Sequence, residues 1–193
     1  MGPPPDTRNS RSPDVAILTT AVRDAAILAT DDELLRQCEV DRYRASGPGG
    51  QKRNKTESAV RVRHRATGIA AHADDSRSQH ENRARAVKRL RGHLATELRA
   101  PIDLATYAPS PRLRELLDGG AARLGEKTRL TAAFWVAIAE LLDLAWACGV
   151  EVAATGERVG LGSAAVAKFL TCDAEVLRTI NQERARRGLR PLR

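Results

Sequence analysis

The spacing of apolar residues changes along the first part of the chain, and with it the predicted secondary structure. Between residues 14 and 37 apolar residues recur at helical intervals, which predicts a helical lead-in of one or two helices with Thr30 or Asp31 as a cap. The stretch "CEVDRYR", beginning at Cys38, then predicts a strand. The stretch "AVRVRHRATGIAAHA" predicts two more strands, joined by a turn that ends at Gly68.

The first strand of this pair alternates between apolar and basic residues. Val60 and Val62 fall on one face, whereas Arg61, Arg63 and Arg65 fall on the other. Because successive side chains of a strand point to opposite faces, one face is predicted to enter the core and the other to be cationic.

A helix is predicted after the hairpin. "SQHE" is a capping box in which Ser78 precedes Glu81 by three positions. One side of this helix is apolar, and much of the rest is basic. The apolar residues are Val87, Leu90, Leu94 and Leu98, and the basic residues are Arg85, Lys88, Arg89 and Arg91.

Beyond Pro101 the pattern is helical. It predicts a short helix in "APSPRLRELLDGG", a long and largely buried helix in "KTRLTAAFWVAIAELLDLAWACG", and two more from Ser163 to Leu170 and from Asp173 to Arg187. The last two helices are compatible with a helix-turn-helix that holds nucleic acid. A plain helical hairpin is the alternative.

These elements predict an α+β fold. Three or four short strands pack on a helix within a small domain at residues 38–100. The domain follows a disordered N-terminus at residues 1–13 and the helical lead-in at 14–37. A helical C-terminal segment with a basic end occupies residues 101–193.

Charge adds a class of partner to this picture. The 193 residues carry a formal net charge of +8. Residues 1–40 hold 4 basic and 7 acidic side chains, residues 41–100 hold 15 and 6, and residues 101–193 hold 13 and 11, so the regional charges are −3, +9 and +2. A localised basic region favours a nucleic-acid partner, and a solvated basic surface is the alternative.

Other classes of protein are disfavoured. No apolar run is long enough to span a bilayer and no leader peptide is recognisable, so no membrane partner and a cytoplasmic location are expected. Three widely spaced cysteines and four histidines lack metal-binding spacing, so neither a metal nor another cofactor is predicted. The cysteines are Cys38, Cys148 and Cys172.

The stretch "SGPGGQKRNK", from Ser46 to Lys55, is the candidate functional segment. Glycine permits positive φ angles and close approach of another molecule to the backbone, and Gly49 and Gly50 are adjacent. The segment lacks the residues of a nucleotide-binding loop. A flexible turn remains the simplest alternative for "GPGG" alone.

The stretch from Arg42 to Leu94 resembles the peptidyl-tRNA hydrolysis domain of class I peptide chain release factors and of their stand-alone relatives that rescue stalled ribosomes. The resemblance rests on "SGPGGQ", "NKTESAV", the hairpin turn "TG" and "RSQHENR" at the start of a helix, in that order. Lys52 and Arg53 depart from the family pattern, which usually has His or Asn and then Val after the glutamine.

The resemblance implies that Gly49, Gly50 and Gln51 form the catalytic motif, placed in the peptidyl transferase centre. In the family this glutamine is methylated, so a glutamine methyltransferase is a further expected partner of Gln51. The resemblance also implies contacts of basic residues with ribosomal RNA, and residues that support the loop. The expected RNA-binding residues are Lys52, Arg53, Lys55, Arg61 and Arg63, and the expected supporting residues are Ser46, Gly47, Pro48, Asn54 and Thr56.

The expected partners are therefore the ribosome, through its large-subunit RNA, and peptidyl-tRNA. Neither residues 1–41 nor the helical segment matches the codon-reading domain of full-length release factors, which favours codon-independent hydrolysis of peptidyl-tRNA, as in ribosome rescue. A non-catalytic ribosome- or RNA-binding protein that retains the fold is the alternative.

Overall fold

The computed structural model describes residues 13–43, 58–120, 124–125, 128 and 131–193, with side chains from Thr20 onward. Its strands are β1 (Cys38–Tyr43), β2 (Ala59–His64) and β3 (Ala70–Ala73). Its helices are α1 (Pro13–Leu28), α2 (Asp31–Arg36), α3 (Gln79–Glu97), α4 (Pro111–Asp118), α5 (Ala132–Ala147), α6 (Val152–Val159), α7 (Ser163–Leu170) and α8 (Ala174–Arg186). A small sheet with many helices confirms the predicted α+β class.

The three described strands form one antiparallel sheet in the order β1-β2-β3. The alternation in β2 is confirmed, because Val60 and Val62 are fully buried while Arg61 and Arg63 are exposed. The predicted turn is also present, and Gly68 adopts a φ of 73° there, which glycine tolerates best. Helix α3 packs against β2 and β3, so the sheet buries one face beneath a helix.

Side-chain caps begin the helices that flank the sheet. Thr30 caps α2 in a capping box, with its hydroxyl accepting from the Glu33 N–H while the Glu33 carboxylate accepts from the Thr30 N–H. Ser78 likewise accepts a hydrogen bond from the Glu81 N–H at the start of α3. The helical lead-in is therefore two helices, and the first begins at Pro13.

Arg91 of α3 is buried, although the sequence places it among the basic residues outside the apolar side of that helix. Its guanidinium donates to the carbonyl oxygens of Ile27 (3.0 Å) and Ala29 (2.6 Å) and to the carboxylate of Asp31 (2.6 Å). The carbonyls lie at the C-terminal end of α1, where a cation is favoured. Arg91 therefore fixes the α1–α2 connection on α3.

The helical C-terminal segment shares a core with the sheet. Helix α5 is buried along most of its length, as predicted, and packs against α1, α3 and α4. Asp143 of α5 accepts from Arg23 of α1 (2.7 Å) and from Arg99 (2.8 Å), which follows α3. Burial lowers the pKa of Arg99 to about 10, so the side chain is still charged at neutral pH.

Helix α6 is absent from the sequence prediction and changes the interpretation of the last helices. The tight pair is α6 and α7, joined at Gly160–Gly162, whereas α7 packs less extensively on α8. Gly160 ends α6 with a φ of 72°. A Cβ on Gly156 would overlap the carbonyl oxygen of Leu161, so the close crossing depends on glycine at that position.

Candidate functional site

The ends of β1 and β2 frame the glycine segment. Tyr43 and Ala59 are partners at the last register position of this ladder, so the chain leaves β1 and re-enters β2 at the same end of the sheet. All of the predicted catalytic and supporting residues, and three of the predicted RNA-binding residues, fall between Tyr43 and Ala59 and lie outside the described part of the chain. They are Ser46, Gly47, Pro48, Gly49, Gly50, Gln51, Lys52, Arg53, Asn54, Lys55 and Thr56.

Asn82 connects the frame to α3. Its side chain is fully buried, and its amide nitrogen donates to the carbonyl oxygens of Ser58 (2.7 Å) and Ser76 (2.8 Å). Its side-chain oxygen accepts from the Ser76 N–H (2.9 Å). Asn82 was not among the predicted site residues, although it lies within the "RSQHENR" stretch. The available signal was a polar residue that lies one turn inside the helix and faces the core.

An exposed ion cluster braces the link between β3 and α3. Arg89 donates to the carbonyl oxygen of His72 (2.8 Å) and to the carboxylate of Asp75 (2.9 Å), and Arg85 lies 4.0 Å from the same carboxylate. The hydrogen bond from Arg89 lowers the pKa of Asp75. Two of the basic residues predicted on this helix, Arg85 and Arg89, therefore interact with Asp75, which precedes Ser76.

The two described RNA-binding candidates differ in their surroundings. Arg61 forms an ion pair with Asp41 of β1 (2.8 Å), and hydrogen bonding to that carboxylate raises the pKa of Arg61. Arg63 is exposed and lies opposite Glu39 in the ladder, but it forms no hydrogen bond or ion pair within the part of the chain that the structure describes. The predicted cationic face of β2 is thus partly neutralised by β1.

Further cations lie on and before α3. Arg77, Arg83 and Lys88 are exposed, and none of them bonds to another described residue. Together with Arg63 they are available to bind phosphates. Such contacts position a protein on nucleic acid and do not depend on the base sequence.

Metal chemistry has no candidate residues in the described ranges. Within them no group of three or more histidine, cysteine or acidic side chains is placed to hold an ion. Burial raises the pKa of the Cys38 thiol, which keeps it protonated and unreactive. No helix among the described residues is long and apolar enough to cross a membrane.

Comparison with known proteins identifies a family domain that this region matches. Residues 33–113 match the RF-1 domain. The chain is 52% identical over 63 residues to peptide chain release factor 2 of Buchnera aphidicola subsp. Baizongia pistaciae, an alignment that covers 33% of this chain and 17% of that protein. It is 59% identical over 58 residues to peptide chain release factor 2 of Paramagnetospirillum magneticum, covering 30% and 16%.

The alignment with peptide chain release factor 1 of Gluconobacter oxydans is longer. It is 46% identical over 88 residues and covers 46% of this chain and 24% of that protein. The chain therefore spans about a sixth to a quarter of the length of these three relatives. The sheet, α3 and the glycine segment all lie within residues 33–113, which match the RF-1 domain.

Proposed function

We propose that this chain, whose residues 33–113 are an RF-1 domain of the peptide chain release factor type, hydrolyses the ester bond of peptidyl-tRNA on the ribosome without reading a codon. The match to the RF-1 domain is the observation that carries the proposal. The β1–β2 frame supports it, because the segment with Gly49, Gly50 and Gln51 starts and finishes at one end of the sheet.

The proposed reaction is attack by water on the ester that joins the nascent peptide to the terminal ribose of tRNA. The water oxygen bonds to the carbonyl carbon, the bond to the ribose oxygen breaks, and that oxygen takes up a proton lost by the water. The products are a free peptide carboxylate, a tRNA hydroxyl and one proton released to solvent. The reaction needs stabilisation of charge on the leaving oxygen and exclusion of larger nucleophiles.

Gln51 meets these needs without acting as a base. A carboxamide does not accept a proton near neutral pH, so general base catalysis by its side chain is excluded. Its backbone N–H can donate to the leaving ribose oxygen, and its side chain can restrict access to a molecule of the size of water. Gly49 and Gly50 would leave space for that N–H to approach, since neither has a Cβ.

Basic residues would hold the domain on large-subunit RNA. Arg63 on β2, Arg77 before α3, and Arg83 and Lys88 on α3 are exposed cations, and in the sequence Lys52, Arg53 and Lys55 follow Gln51 closely. Such contacts fix position and orientation rather than sequence.

The helical segment supports a codon-independent reaction. The described helices that lie entirely after the RF-1 domain are α5 to α8. Four helices packed on the same core as the sheet offer no resemblance to the sheet-containing codon-reading domain expected of full-length release factors.

Peptide release from purified ribosomes tests the proposal. The ribosomes carry peptidyl-tRNA in the P site on messenger RNA that ends there, and wild-type protein is compared with Gly50→Ala. Gly162→Ala is the matched control, because Gly162 has an ordinary φ of −69° and open space around its Cβ position. We expect release by the wild type and the control, and at least a hundredfold slower release by Gly50→Ala.

Two other outcomes would be decisive. Release that requires a stop codon in the A site would overturn codon independence and retain the hydrolase. If the wild type binds ribosomes but releases no peptide, either with or without a stop codon in the A site, the chain is a non-catalytic ribosome-binding protein.

A further inference from the structure

We propose that Asn82 is a positioning residue for peptidyl-tRNA hydrolysis, because it fixes the point at which the chain enters β2 after the glycine segment. This inference rests on the proposed function and adds to it a residue remote in sequence from the catalytic motif. Asn82 belongs to the first turns of α3, 24 residues after Ser58.

The two ends of the glycine segment are held in different ways. Tyr43 is still within the β1–β2 ladder, where it pairs with Ala59. Ser58 lies just before β2 and outside the ladder, and its carbonyl oxygen accepts a hydrogen bond from the Asn82 side chain. Loss of the Asn82–Ser58 hydrogen bond would therefore shift the point at which the glycine segment joins β2, without altering the pairing of β1 with β2.

The three hydrogen bonds require a carboxamide of this length. Two N–H donors face the carbonyl oxygens of Ser58 and Ser76, and one oxygen faces the Ser76 N–H. Aspartate has the same shape but lacks both donors, and serine is too short to reach both backbone segments. Asn82 itself is fully buried and Ser58 and Ser76 are only partly exposed, so loss of the carboxamide removes hydrogen bonds that this position otherwise satisfies.

The Asn82 side chain also connects the glycine segment to the ion cluster formed by Asp75 and Arg89. Ser76 lies next to Asp75, which accepts from Arg89, and Arg89 also holds the carbonyl oxygen of His72 at the end of the hairpin. Asn82 thus joins the entry to β2, the exit from β3 and the start of α3. This arrangement gives the catalytic segment a rigid base, which catalysis by positioning requires.

Single-turnover peptide release with Asn82→Asp and Asn82→Ser tests the role. Thr96→Val is the matched control, because Thr96 is buried on the same helix and its hydroxyl donates to the helix carbonyl oxygens of Gly92 (2.9 Å) and His93 (3.5 Å). At saturating protein we expect the release rate of both Asn82 variants to fall at least tenfold, with the half-saturating concentration changed less than threefold. The control should keep its rate within twofold. The serine variant avoids a buried charge and supports the test if the aspartate variant does not fold.

A readout without ribosomes completes the experiment. Hydrogen exchange of the free protein should be faster in peptides that cover residues 53–60 in the Asn82 variants, and unchanged in peptides that cover the second half of α3. If both Asn82 variants release peptide at the wild-type rate, the positioning role is overturned and the proposed function stands. The same holds if the variants change only the half-saturating concentration and not the release rate. Absence of release by the wild type would overturn the proposed function itself.

Discussion

Arg61 donates two hydrogen bonds, 3.2 and 2.8 Å long, to one carboxylate oxygen of Asp41 on the neighbouring strand. Arg63, two positions further along the same exposed face, forms no such bond among the described residues. The two arginines were predicted as equivalent phosphate ligands, but Arg61 must leave a carboxylate before it can bind a phosphate. The strand alternation places both side chains on the surface, yet it contains no information about the acidic residues of β1.

Replacing Asp41 by Asn should strengthen binding to ribosomes. The change frees Arg61 and removes a negative charge from the face that would approach RNA. We expect a two- to tenfold lower dissociation constant at low salt, and a salt dependence of log K that is steeper by about 0.7–0.9 for one added phosphate contact. Ribosome co-sedimentation over a series of salt concentrations measures both quantities.

Two variants serve as references for this prediction. Arg63→Gln should make the salt dependence shallower by about the same amount, since Arg63 already has a free guanidinium. Glu157→Gln makes the same charge change on the exposed side of α6 and should alter the dissociation constant less than twofold. Equal effects of Asp41→Asn and Glu157→Gln would show that only net charge matters.

Arg91→Lys should destabilise the fold although it preserves charge. Lysine cannot reproduce the three hydrogen bonds to Ile27, Ala29 and Asp31, and it would leave buried carbonyl oxygens without donors. We expect the free energy of unfolding to fall by about 2–4 kcal/mol in urea titrations. Arg83→Lys, an exposed change on the same helix, should stay within about 0.5 kcal/mol. Equal midpoints for the two variants would refute the anchoring role of Arg91.

Much of the fold could be predicted because its local patterns are strong. Alternation predicts β2, the Ser78 and Thr30 caps mark real helix starts, and the apolar stretch around Phe134 is a buried helix. In each case the information lies within a few neighbouring residues. The α+β class follows from these elements without knowledge of how they pack.

The remaining features depend on contacts between distant segments. Arg91 is buried because the end of α1 supplies carbonyl partners, and no pattern within α3 reveals them. Helix α6 contains glycine and β-branched residues that disfavour an isolated helix, and its buried Gly156 lies directly against Leu161 in the turn that follows. Asn82 could be suspected only as a polar residue on a buried face; its partners Ser58 and Ser76 lie on other segments.

His64 should make the stability depend on pH in mildly acidic solution. Its ring is buried between Gln37 and Thr67, with Nε2 3.2 Å from the Gln37 side-chain oxygen and Nδ1 3.0 Å from the Thr67 hydroxyl. The amide oxygen can only accept, so the neutral ring with a proton on Nε2 fits the site. Burial lowers the pKa of His64 below its usual 6.5.

The sign of this effect follows from the lowered pKa. The unfolded chain binds a proton at His64 before the folded protein does, so the contribution is fully present above pH 6.5 and is lost as the pH falls towards the folded pKa. Thermal midpoints at several pH values between 5 and 8 should therefore decline more steeply below 6.5 for the wild type than for His64→Asn. Parallel curves would assign the decline to other groups.

Gly156→Ala tests whether the α6–α7 crossing controls the stability of the helical segment. In an exposed helix this substitution is favourable by about 1 kcal/mol, because alanine has the higher helix propensity. Here the added methyl group would overlap the carbonyl oxygen of Leu161, whose own N–H donates to the Gly156 carbonyl (2.9 Å). Since both partners are backbone, neither can move without opening the turn. We therefore expect the sign to reverse, with a loss of about 1–3 kcal/mol in the free energy of unfolding. Gly162→Ala, with open space at its Cβ position, is the control and should lower the free energy of unfolding by less than about 1 kcal/mol. If Gly156→Ala instead stabilised the protein, α6 and α7 would be shown to separate readily.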